Sequence, residues 1–132
     1  MPRYMLDTNI CIYVIKNYPP RLRSRFDNLS AHLCISTITF AELCYGAEKS
    51  ARKAESMQDI DEFTERLEVL DFSADAARHF GDIRAQLERA GKPVSSSDML
   101  IGAHARSEGL TLVTNNRREF DRIPGLIVEN WV

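Results

Sequence analysis

Residues 4–16 read YMLDTNICIYVIK, and the order of elements in this stretch decides the fold. Tyr4, Met5 and Leu6 make a short apolar run suited to a strand, and Ile10, Tyr13 and Val14 then follow at helical spacing. A strand that passes into a helix through Asp7 is a βα unit. Asp7 itself has two readings at this point. Asp commonly ends strands and caps helices, but the end of a strand is also where an α/β protein presents its functional groups.

The same alternation continues outward from this unit. Pro19 and Pro20 mark a helix start, with Leu22, Phe26 and Leu29 at helical spacing, and HLCIS (32–36) reads as a second strand. TITFAELCYGAEKS (37–50) is a helix that either ends near Gly46 or bends on into residues 51–67, where Met57, Ile60, Phe63 and Leu67 form one apolar stripe. EVLDF (68–72) is a short strand, and residues 73–93 form a helix begun by Ser73 and closed by Gly91 and Pro93. A serine-capped, largely apolar helix (SSSDMLIGAHARSEG, 95–109) leads to a β-branched strand (LTLVTNN, 110–116). A turn with a short helical piece (RREFDRIPG, 117–125) and a last strand (LIVENW, 126–131) complete the pattern. This order predicts an α/β fold, a three-layer α/β/α sandwich on a mainly parallel sheet. Asp7 and the Thr114-Asn115-Asn116 run both follow strands directly, so they can share the carboxyl edge where such sheets bind ligands.

The 132 residues suit one domain over 1–132, with no internal repeat, low-complexity tract or long linker. The N-terminus lacks a secretory apolar segment and no apolar run approaches the ~18 residues of a membrane span, which predicts a cytoplasmic protein with no membrane partner. Cys11, Cys34 and Cys44 are odd in number, form no Cys-x-x-Cys pair and have apolar neighbours, so they read as small buried hydrophobes. The net charge of −2 argues against a generic nucleic-acid coat protein but not against a nucleic-acid enzyme. Thirteen of the 17 basic residues are Arg, in clusters at Arg21, Arg23 and Arg25 and at Arg117, Arg118 and Arg122, and these are either phosphate contacts or solvated helix faces.

Among the carboxylates, Glu42 is the only charge between His32 and Glu48. On a helix it falls between Ile38 and Gly46 with Tyr45 close by, apolar company that a surface glutamate does not usually keep. Asp98 stands in the first turn of its helix, where an acid complements the macrodipole. Ser95, Ser96 and Ser97 already offer capping oxygens there, which frees the carboxylate for other work. Glu119 follows Asn115 by four residues and could join the same edge or pair with Arg118 or Arg122. Acids from separate βα junctions, with no His or Cys among them, make the oxygen-only site that hard divalent ions require. A metal offsets the repulsion of crowded carboxylates, and metal-assisted phosphoryl chemistry is the natural use of such a site.

In their order, MLDTN (5–9), ISTITFAELCYGAEKS (35–50) and the block from SSSDMLIGAHARSEG to LIVENW (95–131) resemble the VapC toxins of bacterial toxin–antitoxin pairs, which are PIN-domain ribonucleases. The resemblance covers nearly the whole chain. It implies that Asp7 and Asp98 hold the metal, with Glu42 as a third catalytic acid and Glu119 as a fourth. It implies supporting roles for Thr8, Thr114 and Asn116, and Arg117 and Arg118 lie where they could contact RNA phosphates. It further implies Mg²⁺- or Mn²⁺-dependent cleavage of RNA, frequently tRNA, by a homodimer held within a larger complex with a VapB-type antitoxin. The resemblance is greatest to enteric-type relatives associated with the anticodon loop of initiator tRNA, which it implies as the target. One departure stands out: such toxins often have a Gly-Pro pair before Asp98, and here Ser95, Ser96 and Ser97 take its place.

The rival readings lack their residues. A haloacid-dehalogenase-like phosphatase needs an Asp where Asn9 stands, a receiver domain needs a late Lys and none follows Lys92, and neither a P-loop nor a dinucleotide motif occurs. His32, His79 and His104 have no ligand spacing and read as structural, on a strand or in helix interiors. The alternative that survives is an inert PIN-like domain that only binds RNA or a partner.

Overall fold

The computed structural model describes all 132 residues. Strands β1 (Tyr4–Leu6), β2 (Leu33–Ser36), β3 (Glu68–Leu70), β4 (Thr111–Val113) and β5 (Val128–Glu129) form one sheet in the order β3-β2-β1-β4-β5. Every neighbouring pair is parallel. The helices between them are α1 (Thr8–Ile15), α2 (Pro20–Leu29), α3 (Thr37–Glu48), α4 (Lys53–Thr64), α5 (Ala74–Ala90), α6 (Ser96–Ser107) and α7 (Arg117–Phe120). None is long and apolar enough to cross a membrane.

Alternation along the strands sends successive side chains to opposite faces of the sheet. Leu6, Leu33, Ile35 and Val113 pack on one face with Val14 of α1, Phe26 of α2, Leu43 of α3 and Phe63 of α4. Met5, Cys34 and Leu112 pack on the other with Ile83 of α5, Ile101 of α6 and Phe120 of α7. Each such side chain contributes roughly 1.5–3 kcal/mol when fully buried, and the two cores make the three-layer sandwich. Cys11 and Cys34 are buried, as their neighbours suggested, while Cys44 is only partly so.

Two glycines fix helix positions. Gly91 closes α5 in the left-handed conformation, φ 66°, with its N–H on the carbonyls of Leu87 and Glu88. At Gly102 of α6 a Cβ would lie 2.5 Å from Ile123 Cδ1, so the missing side chain lets the helix press on the segment before β5.

Several boundaries differ from the sequence reading, strands β3 and β4 being shorter than EVLDF and LTLVTNN. Helix α3 runs through Gly46 to Glu48, and α4 starts afresh at Lys53. Ser50 holds the break by accepting from the Arg52 N–H at 3.1 Å and the Ser56 hydroxyl at 3.0 Å. His32 ends a 3₁₀ turn (Ser30–His32) rather than lying in β2. The last strand shrinks to Val128–Glu129, because the Leu126 N–H is still held by the Ile123 carbonyl of the preceding turn and the Val132 N–H turns back on Asn130 Oδ1.

Strand β1 is central. The chain adds β2 and β3 on one side and β4 and β5 on the other, so the order reverses between β1 and β4. Strand ends diverge at such a reversal and leave a crevice at the carboxyl edge. Asp7 and Thr114 flank it.

Candidate active site

Asp7 is fixed from both sides of the crevice. Its N–H donates to the Val113 carbonyl at 3.0 Å, and its Oδ1 accepts the Ile10 N–H at 2.9 Å, which caps α1. Its Oδ2 accepts the Thr114 hydroxyl, and Thr114 Oγ1 accepts the Asn116 N–H at 2.8 Å. The capping role is therefore present, but capping alone does not explain the choice of residue. Helices α3, α5 and α6 are capped by the neutral hydroxyls of Ser36, Ser73 and Ser95. Asp7 is 4% exposed, and burial pushes its carboxyl above the usual range, against the bonds from Thr114 and Ile10 and with help from the charge of Glu42.

Glu42 projects from α3 between two hydroxyls. Thr8 Oγ1 donates to its Oε1 at 2.5 Å and Ser97 Oγ to its Oε2 at 3.0 Å. Asp98 stands in the first turn of α6, its N–H held by Ser95 Oγ at 3.3 Å, and the Asn116 amide donates to its Oδ2 at 3.4 Å. Its carboxyl is pushed up to about 7, first by burial, then by the hydrogen-bonded, like-charged Glu119, with a further contribution from Asp7 and opposition from Ser95. Glu119 thus faces Asp98 and not its neighbouring arginines. Arg122 instead donates to the Pro93 carbonyl at 2.6 Å.

Asp7, Thr8, Glu42, Asp98 and Asn116 line one cleft of about 230 Å³ together with Asn9, Ser95, Ser97 and Ile101. Thr114 is fully buried behind Asp7, and Glu119 joins through Asp98. No Lys, Arg or His lines the cleft, and none of the four acids takes part in an ion pair. Asn9 and Ser97 are site residues that the sequence reading did not single out. The run Ser95-Ser96-Ser97, with more hydroxyls than one helix cap needs, was the available signal for Ser97.

The remaining expected residues lie outside the cleft. His104 is buried with Nδ1 2.7 Å from Ser36 Oγ, His79 accepts from Arg106 Nε at 2.9 Å, and His32 is exposed. Arg117 is exposed and paired with Asp121 at 3.3 Å, whereas Arg118 is exposed with no partner.

A small cleft that gathers several carboxylates, hydroxyls and amide oxygens, with no protein cation to neutralise them, fits a hard divalent ion. No three His, Cys, Asp or Glu side chains are drawn together at metal-binding spacing. That spacing is compatible with Mg²⁺, which keeps several waters and takes one or two carboxylates.

Comparison with known proteins bears on the same residues. The PIN domain model matches residues 4–126. The chain is 51% identical over 131 residues to the tRNA(fMet)-specific endonuclease VapC of Shigella flexneri, covering 99% of each. It is 52% identical over 132 residues to ribonuclease VapC2 of Haemophilus influenzae, covering 100% of each. Among solved structures, DNA-bound VapBC from Salmonella typhimurium superposes with a TM-score of 0.96 at 51% identity over 100% of both chains. VapBC2 from Rickettsia felis bound to promoter DNA gives 0.92 at 44% identity over 98% of both.

Proposed function

Because this chain belongs to the PIN-domain family and, within it, to the VapC ribonuclease toxins, we propose that it is an endoribonuclease that depends on a divalent cation. Its proposed substrate is tRNA, with the anticodon loop of initiator tRNA as the favoured target. One observation carries the metal reading: Asp7, Glu42 and Asp98 share a cleft that holds no protein cation. The RNA assignment takes its support from relatives named as ribonucleases and as a tRNA(fMet)-specific endonuclease.

In this reading Asp7 and Asp98 hold Mg²⁺, or Mn²⁺ in its place. When bound, such an ion lowers the pKa of a water and neutralises charge on the scissile phosphate. Glu42, kept oriented by Thr8 and Ser97, is placed to accept a proton at either carboxylate oxygen. Thr114 and Asn116 hold Asp7 and Asp98 in register across the β1–β4 crevice. Glu119 keeps the negative field around Asp98 high and so favours a cation there.

The partner in this reading is a VapB-type antitoxin acting on a toxin homodimer in the cytoplasm, in line with structural neighbours solved as VapBC complexes. A groove of about 500 Å³ between α1, α3 and α4, lined by Ile12, Ile15, Leu43 and Ile60, also touches Glu42. An apolar partner segment seated in it would reach the acids. The test is cleavage of tRNA by the purified chain in chelator and in millimolar Mn²⁺. Metal-dependent cutting that Asp7→Asn abolishes is the expected result. RNA binding without cutting under any metal would instead favour an inert PIN-like binding domain.

A further inference from the structure

The three arginines of α2, one cluster in the sequence, separate in the structure. Arg23 turns back on its own end of the fold, donating to Asn17 Oδ1 at 2.9 Å and the Val14 carbonyl at 3.3 Å. It also pairs at 3.3 Å with Asp27, which Arg66 holds at 2.8 Å. Arg21 and Arg25 are exposed and meet no carboxylate.

Those two arginines continue into a row that involves the chain's N-terminal strand. The Arg25 guanidinium lies 4.7 Å from the centre of the Trp131 ring, Trp131 meets Tyr4 edge to face at 5.1 Å, and Arg3 lies 5.3 Å from the Tyr4 ring. Arg21 joins through a cleft of about 310 Å³ that it lines with Arg25, Asn130 and Trp131. Arg3 is also exposed and also lacks an acidic partner. Glu129 of β5 is engaged by Trp131 Nε1 at 3.1 Å, and Val132 completes the lining of the cleft.

Two exposed, unpaired guanidinium groups, Arg3 and Arg25, are thus joined through two aromatic rings, and a third, Arg21, shares the cleft beside Trp131. The chain has 19 acidic and 17 basic residues, so this is a local excess of positive charge and not an effect of composition. A guanidinium stacked over a ring keeps its N–H edge free, in the fork that matches a phosphate. Tyr4 lies three residues before Asp7, about 10 Å along β1, with Met5 and Leu6 buried between them, so the row and the cleft stand at opposite ends of that strand and an RNA that meets both must pass around the edge of the fold.

We propose that Arg3, Arg21 and Arg25 form a second RNA contact, which grips backbone phosphates away from the cut and adds affinity for folded RNA without taking part in the chemistry. The inference rests on RNA being the substrate. Its test compares wild type with Arg21→Gln/Arg25→Gln and with Arg3→Gln, all at exposed positions, using unfractionated tRNA and a short single-stranded oligoribonucleotide. The double variant should bind tRNA about tenfold more weakly, with a salt dependence shallower by about one to two in log–log slope. Cleavage of the short oligonucleotide should stay within about twofold of wild type, and Arg3→Gln should show the same pattern more weakly. Unchanged tRNA affinity and slope in both variants would overturn the proposal, as would normal tRNA binding with lost capture of an acidic protein partner. Absence of any RNA cutting or binding by wild type would instead overturn the ribonuclease reading itself, a result distinct from either.

Discussion

The hydroxyl of Thr8 donates to Glu42 Oε1 at 2.5 Å, so the residue after Asp7 positions an acid that lies 34 residues further along the chain. Thr8→Val keeps the shape and removes the donor. It should lower single-turnover RNA cleavage about tenfold, the lower end of the loss usual for a group that orients a metal-site residue. Thr8→Ser should restore cleavage to within about twofold. Equal loss in both variants would assign Thr8 to packing and not to orientation.

The acids themselves carry a larger effect. Asp7→Asn keeps a carbonyl oxygen for the Ile10 N–H, and Asn caps helices about as well as Asp, so the fold should survive while the charge is lost. Asp7→Asn and Asp98→Asn should each cost at least about 10²-fold in cleavage, because activation of water and neutralisation of phosphate both depend on the ion. Glu119→Gln should cost less, since Glu119 acts through Asp98. Near-wild-type cleavage by either aspartate variant would remove that residue from the site.

How much of this was legible in the sequence depended on whether an interaction is local. The βα alternation, the Ser95 cap and the stop at Gly91 depend on neighbours within a few residues, and the chain displays them directly. Glu42 and Asp98 could be picked out because each is a charge in apolar or already capped surroundings, and Asp7 because it directly follows a strand at the edge where such sheets bind ligands. The tie from Ser97 to Glu42 spans 55 residues, and only the packing of α6 against α3 creates it. The split of the α2 arginines was equally hidden, since the partners that separate Arg23 from Arg25 are Asp27 with Arg66 in one case and Trp131 in the other. The end of α3 was ambiguous because Gly46 alone does not stop a helix, and the actual break depends on Ser50 binding Arg52 and Ser56.

The products offer a test independent of mutation. All three histidines stand outside the cleft, so no imidazole is placed to activate a 2′-hydroxyl. Attack by water should leave a 5′-phosphate and a 3′-hydroxyl, which end-labelling of the fragments distinguishes from a 2′,3′-cyclic phosphate. Cyclic ends made by the pure protein would count decisively against the metal-and-water reading.

Arg117 and Arg118 are adjacent, yet they should not behave alike. Arg117 is already paired with Asp121 at 3.3 Å, whereas Arg118 is exposed and free. If the free cation is the one that meets phosphate, Arg118→Gln should weaken RNA binding and lower the log–log salt slope by about one. Arg117→Gln should change both less, and neither should move the cut. Equal slopes in wild type and Arg118→Gln would place Arg118 in solvent.

The crowding of Asp98 against Glu119 should be visible in stability without any RNA. An acid whose pKa is raised by folding holds its proton more tightly in the native state, so its contribution is complete below the unfolded value and is lost as pH rises through the folded one. For Asp98 that window runs from 3.8 up to about 7, and Asp7 is shifted in the same direction. His104, whose pKa burial lowers, has the opposite sign: its contribution is present above 6.5 and lost as pH falls. The informative quantity is therefore the difference between wild type and Asp98→Asn at each pH. In chelator, the variant should gain in melting temperature relative to wild type as pH rises from about 4 to about 7, because it has no charge to bury. In millimolar Mn²⁺ the order should invert toward neutral pH. The ion competes with protons for the same oxygens, and it stabilises wild type by about 2.7 kcal/mol once it exceeds its dissociation constant a hundredfold. Parallel melting profiles for the two proteins in chelator, with equal shifts on adding Mn²⁺, would take Asp98 out of the metal site and leave it as an ordinary acid in the first turn of α6.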